Sequence, residues 1–144
     1  MSATDALDWA AVRVGDALPT LTIKVTATVI AAGAIATRDF MPVHHDRDYA
    51  NQQGAPDIFM NILSTNAHCS RFLTDWAGPE AAIKTLSIRL GVPMFPRRTL
   101  TFDGTVASTS RVGGEGVVEV AFRGVNELGE HVTGTATLAL PVDT

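Results

Sequence analysis

Apolar positions change their period along this chain. From Leu21 to Val29 the residues alternate Leu/Thr/Ile/Lys/Val/Thr, β-branched at most positions, as a half-buried strand requires. Ala31 to Thr37 is short and alanine-rich and reads as a helical turn entering a proline loop. Asp46 to Gln52 reads as another short helix with Asp46 as N-cap. From Asp57 to Trp76 the period becomes helical: Ile58, Ile62, Thr65, Cys69, Phe72, Leu73 and Trp76 recur at three- and four-residue spacings. One apolar stripe therefore runs along this segment, with Asp57 suited to its N-cap and Gly78-Pro79 to its stop. Four strand-like segments follow, Ala82 to Val92, Thr99 to Ser108, Val117 to Val125 and His131 to Leu140. Pro93 to Arg98, Gly113-Gly114-Glu115-Gly116 and Asn126 to Glu130 separate them. This order predicts an α+β domain with a long helix lying on an antiparallel sheet.

With 144 residues, 46% of them apolar, and no linker or internal repeat, residues 1–144 are expected to form a single domain. So small a unit leaves sheet edges and apolar surface uncovered, which favours pairing with a second copy or a similar subunit. A net charge of -4 disfavours a nucleic-acid or anionic-membrane surface, so an anionic ligand must be met by local basic residues. Cys69 is the only cysteine, which excludes an internal disulfide and a cysteine-cluster metal site and fits a reducing compartment. No apolar run reaches about 18 residues. The start, Met1 to Asp8, is polar and acidic where a secretory signal is basic then apolar. A cytoplasmic protein is the expectation.

The candidate chemistry lies in Arg38-Asp39-Phe40-Met41-Pro42-Val43-His44-His45-Asp46. Pro42 fixes its own φ and pushes Met41 out of the α region, so the stretch between Asp39 and His44 is not ordinary helix. An extended bend can aim a carboxylate and an imidazole at one water, which suits proton transfer. Residues of these types also serve as caps and loop ties, and spacing alone leaves both roles open. His45 and His131 read as exposed or structural, and His68 as a satisfied mid-helix residue. Cys69 sits on the buried stripe, which disfavours a nucleophilic role. No histidine stands at ligand spacing from carboxylates or Cys69, so no metal is expected.

With this loop in front of a long helix, the chain resembles the MaoC-like dehydratases of the hot-dog fold, the family of (R)-specific enoyl-CoA hydratases. The resemblance spans nearly the whole sequence. The family's Asp-x-Asn-Pro-x-His pattern is matched by Asp39, Pro42 and His44, followed by Ala50, while Met41 stands where Asn is usual. Ser87 to Pro96 is similar to the family's strand ending in Pro-Val-Phe-Pro-Gly-Asp-Thr-Leu, with Thr99-Leu100 in register and Arg97-Arg98 in place of Gly-Asp. The Asn126 to Glu130 turn and Gly134-Thr135-Ala136 resemble its closing hairpin. More narrowly, Phe40 to Trp76 and Ile88 to Pro93 resemble the small subunit of actinobacterial steroid side-chain enoyl-CoA hydratases, which pairs with a longer MaoC-like chain carrying an OB-type extension.

The resemblance implies a hot-dog fold, with sheet wrapped around a central helix. It implies addition of water to a 2-enoyl-CoA to give a 3-hydroxyacyl-CoA, the acyl group being bulky and of steroid type. Asp39 and His44 are then the catalytic pair. Unperturbed pKa values leave Asp ionised and His largely neutral near pH 7, so both can accept a hydrogen bond from water. Negative charge developing on the thioester oxygen calls for donors, and the start of the Asp57 helix is the expected source. Asn61, where the family has glycine, Met60 and Met41 are the candidate oxyanion and substrate contacts. For Asn61 a cap of the early helix turns is an equal alternative; Met41 could line an apolar acyl channel. Arg97, Arg98 and Arg89 are the candidates for CoA phosphates, with Arg71 and Lys84 behind them, although paired arginines in a turn are commonly only solvated. No cofactor is implied beyond the CoA of the substrate. Two competing functions remain at this level: a non-catalytic acyl-CoA-binding partner of a heteromeric hydratase, motivated by Met41 and Asn61, and a hot-dog acyl-CoA thioesterase. Either a homodimer or a heteromer fits.

Overall fold

A computed structural model describes residues 6–142; Met1 to Asp5, part of the acidic start considered above, lie outside the described residues. The elements are β1 (Leu21–Val25), α1 (Ala27–Ala36), α2 (Arg47–Gln52), α3 (Ile62–Ala77), β2 (Ala82–Leu90), β3 (Arg98–Val112), β4 (Glu115–Asn126) and β5 (Gly129–Leu140). The strands form one antiparallel sheet in the order β1-β3-β4-β5-β2.

β4 is the sheet's clearest alternation. Val118, Val120 and Phe122 are buried while Glu119, Ala121 and Arg123 face out, so one face is core and the other is not. The buried face receives α3 through Cys69, Phe72, Leu73, Trp76 and Ala77. Phe72 is central: its ring stacks on Phe102 at 5.5 Å and meets Phe122 at 6.1 Å. Gly104 makes room for it, because a Cβ there would stand 3.2 Å from the Phe72 ring and 2.9 Å from Phe122 Cβ. Register shifts at Val106/Ser108 and Gly124/Val125 insert bulges, which bend and twist the long strands that carry α3. Between β3 and β4 the turn is Gly113-Gly114, both at positive φ (58° and 83°), the conformation a two-residue hairpin demands.

Several predicted boundaries are corrected, those of β2, β4 and β5 by one or two residues. β1 ends at Val25 rather than Val29, because the Thr26 side chain accepts the Val29 N–H and caps a ten-residue α1 that begins at Ala27. The alanine-rich stretch is thus the second half of a full helix. Alternation carried through Thr26 concealed the cap. α3 begins at Ile62, not near Asp57, and its cap is Asn61, whose Oδ1 accepts the Ser64 N–H at 3.1 Å. Residues 57–60 are instead tied outside any helix: Phe59 N–H donates to the Val43 carbonyl, and Met60 N–H to that of Met94. β3 runs longer than expected at both ends. α2 and its Asp46 cap stand as predicted.

Among the described residues no helix is long and apolar enough to cross a membrane, and no three His, Cys, Asp or Glu side chains are grouped to hold a metal ion.

Candidate active site

α1 ends in a way that fixes Asp39. Thr37 is its C-cap, Arg38 follows in the left-handed region at φ 60°, Arg38 N–H donates to the Ile35 carbonyl and Asp39 N–H to that of Ala34. This is a Schellman closure, with arginine where glycine is the easy choice. The chain then turns sharply: Met41 N–H donates to Asp39 Oδ1 at 3.3 Å, and Pro42–His44 form one 3₁₀ turn. Pro42 supplies the fixed φ at the start of that turn.

The turn brings His44 back onto Asp39, with Nε2 3.3 Å from Oδ2. His44 is buried, 8% exposed, while the Asp39 side chain keeps 28% of its surface. The other ring nitrogen, Nδ1, lies 2.6 Å from the Phe59 carbonyl, and the Phe59 ring meets the imidazole edge-on at 5.1 Å. A carbonyl only accepts, so Nδ1 carries a proton, and Nε2 is bare whenever the ring is neutral. A carboxylate oxygen and an unprotonated nitrogen thus face one another, two acceptors that one water can satisfy together.

Asn61 Nδ2 reaches Asp39 Oδ2 at 3.1 Å and Thr37 Oγ1 at 2.9 Å. Asp39 is held below the ordinary carboxylate value of 3.8, first by the Asn61 hydrogen bond, then by the Met41 N–H, against the effect of burial, and last by the charge His44 carries when it is protonated. Asn61 therefore caps α3 and touches the pair at once. Its amide is fully engaged and is not the free oxyanion donor that was considered. Met60 is corrected too: it is buried in the core with its N–H on Met94. Among the described residues the N–H groups of Ile62 and Leu63, the first two of α3, have no partner, so the helix start does offer unpaired donors, one turn later than expected. Met41 is exposed beside Phe40, and Ile62 and Leu63 are exposed beside Asn61.

Of the basic candidates, Arg97 and Arg98 line one cleft with Pro56, Asp57 and Phe95. Arg97 also lines a second cleft, of about 370 Å³, with His45, Arg47 and Asp57. Asp57 is shared between Arg97 and Arg47, 3.8 Å from each. Arg89 is not brought to this rim; it lines a groove on β2, β4 and β5 with Ser87, Ala121 and Thr133. Arg71 pairs with Asp75 and Lys84 with Glu115 on the surface. Sequence reasoning missed Arg47 and Thr37. A basic residue three positions after His44 in an acidic chain, and a hydroxyl closing an alanine-rich helix, were the available signals.

The remaining histidines and Cys69 lie off the pair. His45 is exposed, with Nε2 3.4 Å from the Phe40 carbonyl. His131 is buried between the Val92 carbonyl (2.7 Å) and Thr65 Oγ1 (2.9 Å). Burial lowers its pKa and that of partly buried His68. Burial pushes the Cys69 thiol up to about 12, which leaves it inert.

Comparison with solved structures defines the class. The chain superimposes on the (R)-hydratase PhaJ1 of Pseudomonas aeruginosa with a TM-score of 0.84 at 21% identity, over 96% of this chain and 88% of that one. It matches a MaoC-like dehydratase of Rhodospirillum rubrum with a TM-score of 0.82 at 20% identity, over 96% and 99%. The fold is the hot-dog. No family model matches the sequence. The 3-oxo-4,17-pregnadiene-20-carboxyl-CoA hydratase beta subunit of Mycobacterium tuberculosis is 46% identical over 127 residues, 88% of this chain and 95% of that protein. The ChsH1–ChsH2 complex of the same organism contains a chain that matches with a TM-score of 0.84 at 46% identity, over 90% of this chain and 98% of that one. The protein belongs to the MaoC-like hydratase family, in the group of that beta subunit.

Proposed function

We propose that this chain is the MaoC-like subunit of an enoyl-CoA hydratase that adds water across the double bond of a 2-enoyl-CoA carrying a bulky, steroid-type acyl group. The observation that carries the reading is the Asp39 carboxylate 3.3 Å from the bare Nε2 of His44. One water donates a hydrogen bond to each acceptor, which leaves an oxygen lone pair free to attack Cβ. The pair takes a proton from that water as the C–O bond forms, and a proton is delivered to Cα. Charge on the thioester oxygen is met by the Ile62 and Leu63 N–H groups at the positive end of α3. Arg97, Arg98 and Arg47 form a basic rim for CoA phosphates on an otherwise acidic protein. No cofactor enters this chemistry beyond the CoA of the substrate.

The chain works in a heteromer with a second MaoC-like chain, as 46% identity to a hydratase beta subunit supports. Exposed apolar residues beside the pair, Phe40, Met41, Ile62 and Leu63, are surface that a partner and the acyl group would cover. The cytosol is the compartment this reading assigns, consistent with a free, buried Cys69.

The test is conversion of short, long and steroid-type 2-enoyl-CoAs by the chain alone and by its co-purified complex, followed as loss of the conjugated thioester absorbance. A product heavier by one water, with no free thiol, is expected. Thiol release instead would make the protein a thioesterase. Full activity of a complex whose Asp39/His44 pair is removed would reduce this chain to a binding partner.

A further inference from the structure

Asn61 has more to do in this fold than end a helix. We propose that Asn61, braced by Thr37, is the positioning residue that aims the Asp39 carboxylate at the water shared with His44. Its amide orientation is fixed by its neighbours. Thr37 Oγ1 lies 2.8 Å from the Gly33 carbonyl and 3.1 Å from that of Ala34, so its single proton is engaged with α1 and it can only accept from Asn61. Asp39 Oδ2 also only accepts, and Ser64 N–H only donates, to Asn61 Oδ1 at 3.1 Å. Turning the amide over would place oxygen against oxygen at Asp39 and N–H against N–H at Ser64. With Asn61 only 2% exposed, no water relieves that mismatch.

Three hydrogen bonds of the side chain, both Nδ2 protons and one to Oδ1, thereby join three elements: the end of α1, the Asp39 loop and the start of α3. The oxygen that Asn61 holds, Oδ2, is the one that faces His44 Nε2. One donor therefore acts on both the position and the basicity of the oxygen that faces His44, while the Met41 N–H holds the other. That bond is also the largest cause of the lowered Asp39 pKa.

The inference rests on the hydratase reading for its kinetic arm only. Asn61→Ser keeps a good N-cap acceptor for Ser64 but is too short to reach Asp39. Asn61→Asp keeps cap and shape but sets a carboxylate where the donor was. Thr37→Val leaves the Asn61 cap of α3 untouched and removes the brace, together with the hydroxyl's bonds to the last carbonyls of α1. The Asp39 carboxyl is titrated by ¹³C NMR in the folded full-length chain, and kcat/KM is measured against pH in the complex. Expected is an upward move of the Asp39 midpoint in Asn61→Ser, a larger one in Asn61→Asp and a smaller one in Thr37→Val. The acid limb of kcat/KM moves the same way, with a loss of about tenfold or more at neutral pH carried by kcat. An Asp39 midpoint that stays put in all three variants would overturn the proposal and leave Asn61 as a cap alone. If the midpoint moves while the wild-type complex hydrates nothing, the positioning holds and the hydratase reading fails.

Discussion

Replacing Asp39 by Asn should stop turnover without unfolding the protein, and the geometry says why the change is not isosteric in effect. Oδ2 accepts from Asn61 and faces His44 Nε2, while Oδ1 accepts from the Met41 N–H. A side-chain amide offers one acceptor and one donor, so in either orientation its NH₂ meets another N–H, that of Asn61 or of Met41. The variant loses the charge, one hydrogen bond and half the site that holds water. Proton transfer by a positioned group is worth about 10²- to 10⁴-fold, or about 2.7–5.4 kcal/mol of barrier at 1.36 kcal/mol per decade. The assay is decay of the enoyl-thioester absorbance by the complex under saturating substrate, with thermal melting as the control for folding. KM should change little, because the carboxylate acts on water rather than on the acyl-CoA. In the wild type the folded carboxylate titrates below 3.8, so whatever its ionisation contributes is complete above the unfolded value and is lost as pH falls through the lower folded one. The Asn variant lacks that acid-side dependence. A variant within about threefold of wild-type kcat would refute the assignment of Asp39 to the chemistry.

His44→Ala in the same assay should be at least as damaging, since the bare Nε2 is the other acceptor for the water; unchanged kcat would remove it from the site. Phe72→Ala should cost about 3–5 kcal/mol in urea unfolding, because it empties the stack between α3 and the sheet; a loss under about 1 kcal/mol would mean that the site collapses freely. Gly91→Ala should destabilise by roughly 1–3 kcal/mol, since its Cβ would collide with the Glu130 carbonyl across the β2/β5 pair. For His131, burial lowers the folded pKa, so the unfolded chain binds more protons below its value of 6.5 and stability should fall as pH drops through that point. Urea midpoints at about pH 7.5 and about pH 5.5 test this, His68 acting in the same direction, and identical midpoints would contradict it.

Much of the site was legible as residue types and little of it as geometry. Asp39, Pro42 and His44 announce themselves because few sequences set an acid and an imidazole across a proline. The cap of α3 was misplaced because Asp57, Asn61 and their neighbours all satisfy local capping preference, and the choice between them is made by remote carbonyls. Phe59 and Met60 lose their helical option to hydrogen bonds with Val43 and Met94, partners 16 and 34 positions away. Arg97 shows the same limit. It stands at φ 66°, where the family resemblance places glycine, and its N–H is held by the Val25 carbonyl at 2.7 Å. Its guanidinium is drawn to Asp57, together with that of Arg47, by a fold that no local rule encodes.

The sequence alone determined the order of the elements, the face of α3 that would be buried, the alternation of the late strands and the acid/imidazole loop. These follow from period, turn chemistry and the restricted φ of proline, all of which act over a few residues. Only the tertiary structure decided which nitrogen of His44 is bare, which amide holds Asp39, and which arginines share a rim. Each of those depends on a donor or acceptor supplied from a distant segment, and a buried polar group takes whatever partner the packed chain brings within about 3 Å.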